Sequence, residues 1–342
     1  MSMRIEQIDP VRNDADLAAV VSCVQRTYGD VLGDFPVPGA QRMRFWRSDG
    51  YEYTITVFGA YGDAGDVDGG GRGDLLGFSN LGLEIFGNLE LSQSAILVAA
   101  PATSTVTGAQ VAEALLAHAV EFCLGHGRTR LAVGLPNGLS AEDYAPIRTG
   151  RLTYTAVRSV LDLRSVDREQ FTAWAEPSGK NKQYRLVRWI DHCPDEFVDA
   201  FLVAMTAMED APQEEMAIEH LKPELELLRG MEDHSRRYGV RRYATAAVDA
   251  DGVIAGYTMF TEYPEEPRAL DIWDTGVARE HRGRGLGLRL KADSTLWMLQ
   301  DCPGADYVHT YNNQSNEHML AVNRRLGYRA ADRDEIYEFS FA

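Results

Sequence analysis

The stretch His281-Arg-Gly-Arg-Gly-Leu-Gly287 lies between an extended run, Ala269 to Val277, and a helical pattern that continues to about Gln300. A strand that turns through a glycine-rich loop into a helix forms an anion site, because the first helical amides lack partners and carry a partial positive charge. Glycines let those amides close around phosphate oxygens without Cβ clashes. The sequence therefore predicts a phosphate-binding loop, and the basic residues Arg282 and Arg284 fit that interpretation.

The spacing of the glycines indicates which phosphate ligand the loop binds. A nucleoside-triphosphate loop would end in Gly-Lys-Ser/Thr, and a dinucleotide loop would read G-x-G-x-x-G, but this stretch reads G-x-G-x-G. It matches R-x-x-G-x-G at Arg282, Gly285 and Gly287. This spacing resembles the pyrophosphate motif of the GNAT superfamily of acetyl-CoA-dependent N-acyltransferases. The alternative interpretation is a glycine-rich turn that only caps a helix.

The flanking sequence favours the resemblance. Leu270 to Val277 resembles the central strand of the family, and Tyr307 to Tyr311 resembles the next strand. Residues 313 to 328 resemble its second motif, in which an Asn starts a short helix that ends in an aliphatic-Gly-aromatic triplet, here Leu326-Gly327-Tyr328. The resemblance covers about residues 180 to 342.

The N-terminal half repeats the family's order of strands and helices, but its loop has changed. Where the second half has Arg282, Gly285 and Gly287, the first half has Thr105, Gly108 and Gln110, so one glycine and no basic residue remain. The predicted fold class is α/β (α+β), with two tandem GNAT domains arranged as in mycothiol synthases. Each is expected to have a mixed, mostly antiparallel sheet flanked by helices, with a splayed central strand.

The expected domain boundaries follow from this repeat. We expect a degenerate N-terminal domain at 1–166 that does not bind CoA, a linker at 167–182, and a catalytic domain at 183–342. A tract of glycine, aspartate and alanine at 62–73 is more typical of a hairpin tip than of a phosphate loop, because no helix follows it.

Composition and charge exclude several classes of protein. A net charge of −17 disfavours binding to nucleic-acid phosphate and is compatible with a cationic amine substrate. No apolar run approaches the ~20 residues that span a membrane, and the N-terminus lacks the apolar core of a secretory signal. The four cysteines lie far apart without C-x-x-C pairs, which argues against a metal site or disulfides and favours the cytoplasm. Both a monomer and a homodimer remain open.

The resemblance implies acetyl-CoA as the cofactor and a set of residues that bind it. In the family, pantetheine lies beside the splayed strand, here against the backbone of Thr275, Gly276 and Val277. The Val277 N–H is the expected donor to the thioester carbonyl, where charge develops. The further expected contacts are Arg282, Gly283, Arg284, Gly285, Leu286, Gly287, Leu288, Asn313, Asn316 and Asn323.

Several carboxylates are candidates for the general base. Asp271 and Asp274 are three residues apart on one strand, so we expect them on opposite faces of the sheet. Asp274 is the first choice, because it is next to the predicted acyl contacts. Glu209 and Asp210 lie in the loop where the family shapes its acceptor pocket, and either could bind the ammonium group. The alternative is that these are surface carboxylates.

Asn323 departs from the family pattern, which often has a Tyr at this position as the general acid. An amide cannot release a proton at neutral pH, although it can hydrogen-bond the thiol or pantetheine. Solvent, Tyr311 or Ser315 could supply the proton instead. The sequence therefore supports two hypotheses: an N-acetyltransferase that acts on a small-molecule amine, or a catalytically silent acyl-CoA-binding sensor or partner-binding module.

Overall fold

The structure is a computed structural model that describes residues 3–29, 31–62, 73–99, 104–136, 138–206 and 222–341. Most of the glycine-rich tract at 62–73 lies outside these residues, as do the candidate acceptor residues Glu209 and Asp210. The chain divides into two compact units. The first comprises Met1–Thr155 and Arg333–Ala342, and the second comprises Ala156–Glu214 and His220–Asp332.

The first unit is a six-stranded sheet with helices packed on it. Its strands, in sheet order, are β1 (Arg4–Ile8), β2 (Tyr53–Tyr61), β3 (Leu75–Glu84), β4 (Leu91–Val98), β5 (Arg130–Pro136) and β12 (Arg329–Ser340). Its helices are α1 (Asp14–Tyr28), α2 (Ala40–Trp46) and α3 (Gly108–Gly125). Neighbouring strands are antiparallel except β4 and β5, which are parallel. The apolar stripe of α3 is buried in the core of this unit.

The second unit repeats this plan. Its strands, in sheet order, are β6 (Arg151–Asp162), β11 (Tyr307–Asn313), β10 (Ala269–Val277), β9 (Ile254–Glu262), β8 (Arg241–Val248) and β7 (Arg185–Ile190). Its helices are α4 (Arg168–Ala175), α5 (Val198–Met205), α6 (Leu225–Arg237), α7 (Leu286–Asp301) and α8 (Glu317–Arg325). Only the β10–β11 pair is parallel among the pairings described. The predicted fold class is confirmed in both units.

Helix α7 follows the predicted loop, and its apolar side chains pack into two separate clusters. Leu286 and Leu290 pack with Tyr184 and the small side chains of β8 and β9. Ala292 and Trp297 lie in the core beneath the sheet, where Phe171 of α4 also packs. The region predicted as a linker therefore contains a helix, which begins at its N-cap residue Asp167.

Most of the last strand, β12, belongs to the first compact unit. Residues 334–340 of β12 pair antiparallel with β5, and residues 156–162 of β6 pair with β11. The division into compact units falls at Thr155 and at Arg333. No helix of the described residues is long and apolar enough to cross a membrane.

Candidate active site

The central strand of the second unit separates from its neighbour halfway along its length. Strands β10 and β11 pair in parallel from Ala269 with Tyr307 to Ile272 with Thr310. Beyond this point β10 continues to Val277 beside β9, and β11 continues to Asn313 beside β6. The two strands diverge and leave a gap, which is the splay that the fold class predicts.

A β-bulge in β10 sets which side chains face the same side of the sheet. Ile272 pairs with Phe260 and Thr275 pairs with Thr258, so two residues of β10 oppose the single residue Met259. An extra residue of this kind shifts the alternation of side chains along the bulged strand. Asp271 and Asp274 therefore lie on the same face, and the expectation that they lie on opposite faces is wrong.

The register also determines which backbone amide faces the gap. Ala278 N–H donates to the carbonyl of Ala255 at 3.0 Å, which makes these residues a hydrogen-bonded pair. Bonding groups alternate in direction along an antiparallel strand, so the amide and carbonyl of Val277 point away from β9. The Val277 carbonyl accepts from Arg282 Nε at 3.0 Å. The Val277 N–H is thus directed toward the side where β10 has left β11.

The loop before α7 presents unblocked amides to a ligand. Gly283 and Gly285 have φ values of +72° and +77°, a left-handed conformation that favours glycine. Gly285 is the N-cap of α7, and no described side chain caps the first turn. No heavy atom lies within 4 Å of a Cβ built on Gly287. The helix therefore begins with open space and free N–H groups, as anion binding requires.

The two arginines of the loop have different surroundings. Arg282 bonds the Val277 carbonyl through its Nε atom. Arg284 turns back into the protein, where its side chain donates to the Tyr184 hydroxyl at 3.0 Å and to the Glu280 carbonyl at 3.1 Å. Arg282 is therefore the better candidate for a phosphate contact, and Arg284 holds the loop against the buried Tyr184.

Asparagine side chains gather at the end of β11 that borders the gap. Asn323 on α8 is 1% exposed, and its Nδ2 donates to Asn312 Oδ1 at 2.7 Å. Asn313 is also buried, and its Oδ1 accepts from Ser315 N–H at 2.7 Å. The Oδ1 of Asn323 and the Nδ2 of Asn313 are buried without a hydrogen-bond partner in the described residues. These two atoms suit a ligand that carries amide groups, since such a ligand would supply the missing partners.

Asn316 has a structural role in the same segment. Its side chain accepts the Met319 N–H at 3.2 Å, as the N-cap of α8. The predicted coenzyme residues of the loop, Gly283 to Leu288, and the strand residues Thr275 to Val277 lie on either side of the turn that joins β10 to α7.

Asp274 is half-buried on the face of the bulge. Burial raises the pKa of its carboxyl group above the ordinary value, and the positive charge of Arg242 partly opposes this effect. The charge of Asp274 in turn contributes to the raised pKa of the buried Tyr257, although burial of that ring contributes more. A carboxyl group with a raised pKa, next to the acyl contacts, has the properties of a proton acceptor.

Asp271 contacts a histidine on the neighbouring strand. Its Oδ1 lies 2.5 Å from Nε2 of His309, and both side chains are buried. They face each other in the paired part of β10 and β11, one residue before the splay begins. The sequence gives no local signal for this contact, because the two residues lie on different strands. The pair fixes the two strands just before they separate.

The first unit has the same strand geometry, but there a side chain of the protein accepts the corresponding strand amide. Strands β4 and β5 pair only from Leu91 to Ala95, and Ala99 N–H donates to the Leu76 carbonyl at 2.8 Å. Val98 thus corresponds to Val277, with its N–H directed away from β3. That N–H donates to the hydroxyl of Tyr144 at 2.8 Å. Tyr144 is 2% exposed, so its own side chain fills the position that a ligand carbonyl would take.

The start of α3 is also closed. Thr107 and Gln110 form a capping box, in which each side chain accepts the backbone N–H of the other residue. A Cβ at Gly108 would collide with the carboxylate of Asp143. A negative charge at the first turn opposes the binding of another anion there. The sequence shows that glycines of the loop are lost. It does not show that the Tyr144 hydroxyl and the Asp143 carboxylate lie at the two positions that a ligand would take.

Comparisons with known proteins agree with this geometry. Residues 205–328 match the sequence model of the acetyltransferase (GNAT) family. A solved tandem GNAT protein from the clavulanic acid biosynthesis pathway superposes with a TM-score of 0.78 at 22% identity, over 99% of this chain and 98% of that one. Residues 205–328 therefore form a GNAT-family domain, and the chain as a whole has the fold of a tandem GNAT protein.

Two curated acetyltransferases are similar to part of the chain. A mycothiol acetyltransferase of Salinispora arenicola is 37% identical over 84 residues, which are 24% of this chain and 27% of that protein. An L-2,4-diaminobutyric acid acetyltransferase of Shouchella clausii is 38% identical over 80 residues, 23% of this chain and 43% of that protein. The matches thus span between about a quarter and less than half of these relatives.

Proposed function

We propose that the protein is an acetyl-CoA-dependent N-acetyltransferase that transfers an acetyl group directly to a primary amine of a small molecule. The observation that carries the proposal is the gap beside β10, with the Val277 amide directed toward it and the uncapped start of α7 at its end. Membership of the GNAT family supports acyl transfer in general.

The residues around the gap fit acetyl-CoA. The free amides of α7, with Arg282 beside them, suit a pyrophosphate group. The unpartnered amide atoms of Asn313 and Asn323 suit the amide groups of pantetheine. When bound, acetyl-CoA supplies the thioester carbon that the amine attacks.

Two groups of the chain act on the reaction in this proposal. The Val277 N–H donates to the carbonyl oxygen as negative charge develops on it, which stabilises the transition state more than the ground state. Asp274 takes a proton from the ammonium group of the acceptor, directly or through a water molecule. Glu209 and Asp210 remain candidates for holding the acceptor, and they lie outside the described residues.

The N-terminal domain, proposed at 1–166, serves as a structural copy that does not bind CoA. The Tyr144 hydroxyl on the Val98 amide and the Asp143 carboxylate at the start of α3 support this assignment. The linker at 167–182 and the catalytic domain at 183–342 complete the proposed organisation. We further propose a cytoplasmic monomer or homodimer that binds neither nucleic acid nor membrane. The net charge of −17 supports the absence of nucleic-acid binding, and the four widely spaced cysteines support the cytoplasm.

A catalytically silent acyl-CoA-binding module is the second candidate. The observation that favours it is the fully buried Asn323 at the position where the family often has a Tyr. Its amide group can hold a ligand but cannot protonate a leaving thiolate.

A thiol-release assay on the full chain with acetyl-CoA and a panel of primary amines separates the two candidates. Release that depends on both substrates supports the transferase, whereas coenzyme binding without turnover of any amine supports the silent module. Calorimetry provides a second measurement. One equivalent of acetyl-CoA per chain is expected, two would contradict the structural role of the N-terminal domain, and none would refute the coenzyme site.

A further inference from the structure

A small cavity lies on the face of the second unit that carries Asp274. Helices α5 and α6 form one side of it, and strands β7 to β9 form the other. Its apolar lining comes from two aromatic residues, three methionines and a leucine: Trp189, Phe201, Met205, Leu228, Met231 and Met259. Methionine side chains are flexible and adapt to the shape of a ligand, so this cavity can widen around an apolar group.

The polar residues at the edge of this cavity have partners within the protein. Glu232 accepts from Cys193 N–H at 2.8 Å and from Arg229 Nη1 at 2.7 Å, and its Oε2 lies 2.9 Å from Nδ1 of His192. Asp191 accepts the backbone N–H of Arg242 at 2.8 Å.

The remaining polar side chain at the edge belongs to Arg242. It donates from Nε to Ser235 Oγ at 2.5 Å, and its guanidinium lies 5.6 Å from the centroid of the Trp273 ring. A polar substituent inside the cavity would have to give up its hydration without gaining hydrogen bonds of equal quality. An apolar substituent makes no hydrogen bonds to water, so it would lose none on entering the cavity.

One residue that lines the cavity is a cross-strand neighbour of the carboxylate proposed as the base. Met259 opposes Trp273 and Asp274 across the bulge. Phe201 packs edge-on against Tyr257 at 5.1 Å between ring centroids, and Tyr257 interacts electrostatically with Asp274. An amine at Asp274 would therefore lie beside Met259 and Tyr257, and Met259 also lines the cavity.

We propose that the acceptor is a primary amine that carries a compact apolar group, which enters this cavity while the nitrogen lies at Asp274. The proposal rests on the proposed transferase activity and adds the chemical class of the substrate. The acceptor nitrogen is bound as an ammonium ion by the carboxylate. The rest of the molecule is recognised by apolar contact with aromatic rings and methionine thioethers.

The test compares two amines of the same length and charge on the full chain. Pentylamine and 3-methoxypropylamine differ only by an ether oxygen in place of one methylene. We expect kcat/KM for pentylamine to exceed that for 3-methoxypropylamine by at least about tenfold, as for other differences of one group in an apolar pocket. Similar values for both amines, or preference for the ether, would overturn the proposal and leave the transferase activity standing.

A second measurement uses a variant in which a larger side chain fills the cavity. Ala244 also lines it and is buried, so Ala244→Leu is expected to lower kcat/KM for pentylamine about tenfold or more and to change that for ethylamine by less than about twofold. Val203→Leu is the control, because Val203 lies on α5 but is 68% exposed.

The outcomes of this second measurement separate the two proposals. An equal loss for both amines in Ala244→Leu, with acetyl-CoA affinity unchanged by calorimetry, would contradict the cavity as the binding site. If Ala244→Leu fails to fold, the comparison of the two amines on the unaltered protein decides the question. Failure of the unaltered protein to acetylate any amine would instead refute the transferase, and this proposal with it.

Discussion

Replacing Lys291 with methionine should stabilise the protein at neutral pH. Lys291 lies in α7, next to the coenzyme loop, and is fully buried. Its ammonium has no hydrogen-bond partner in the described residues and lies 4.8 Å from the centroid of the Tyr328 ring. Burial lowers the pKa of Lys291 from 10.5 to about 7. Methionine has a similar length and shape and carries no charge.

The magnitude follows from the difference between the folded and unfolded pKa values of this group. Each pH unit between them corresponds to about 1.4 kcal/mol, so burial of the lysine costs at most about 5 kcal/mol below pH 7. A cation–π contact with Tyr328 offsets about 2 kcal/mol of that cost. We therefore expect Lys291→Met to raise the free energy of unfolding by about 3 kcal/mol at pH 6.

The pH dependence gives the sign of the effect. The unfolded chain keeps its proton on Lys291 up to about pH 10, and the folded chain loses it above about pH 7. The unfolded state therefore binds more protons in this range, so the cost of the lysine falls as the pH rises. The advantage of Lys291→Met should shrink by up to about 3 kcal/mol between pH 6 and pH 9.5.

Denaturant unfolding of both proteins at pH 6, 8 and 9.5 measures this difference. Lys180→Met is the control, because Lys180 is exposed and should change the free energy of unfolding little at any pH. An advantage of Lys291→Met that stays constant across the pH range, or a loss of stability at pH 6, would refute the reasoning.

Three further predictions concern the gap beside β10 and the corresponding strand amide of the first unit. Arg282→Ala should raise the KM for acetyl-CoA roughly 10- to 100-fold in steady-state kinetics, because a charge-assisted phosphate contact is lost, while Thr105→Ala should leave it unchanged. Asp274→Asn should lower kcat/KM for the amine roughly 100-fold or more and abolish the rise of rate with pH; because burial raises the pKa of Asp274, that rise should lie above the range of an ordinary carboxyl group. Asp271→Asn should keep the same pH profile. If the rise of rate with pH disappeared in Asp271→Asn, Asp271 would be the base. Tyr144→Phe should reduce the free energy of unfolding by about 1–3 kcal/mol, since a buried amide loses its partner, and an unchanged unfolding curve would show that the contact is unimportant.

The sequence predicts the backbone of the glycine-rich loop before α7 well, because its signals are local. Gly283 and Gly285 adopt the left-handed backbone that their residue type allows, and α7 starts where the helical pattern begins. The short helix that ends before Gly327 follows from the spacing of Met319, Val322 and Leu326. In each case the residues that determine the structure are neighbours in the chain.

Features that depend on pairing between distant segments were not predictable in this way. The bulge that brings Asp271 and Asp274 to one face arises from the register of β10 on β9, and no periodicity in either strand reveals it. The contact between Tyr144 and Val98 joins residues that are 46 positions apart. The apolar cavity combines residues of two helices and three strands, each of which is an ordinary core position in its own segment.

The Tyr144 hydroxyl makes the two halves of the protein differ in how their stability responds to metabolism. The N-terminal half satisfies its strand amide from within, so in the proposed organisation its resistance to unfolding would be the same in starved and well-supplied cells. In the proposed function the C-terminal half binds acetyl-CoA, so it would gain stability in proportion to the logarithm of coenzyme concentration above the dissociation constant, because a ligand that binds only the folded state stabilises it. Depletion of acetyl-CoA would thus expose the C-terminal half to proteolysis first, and cellular turnover of the whole chain would follow the acetyl-CoA supply.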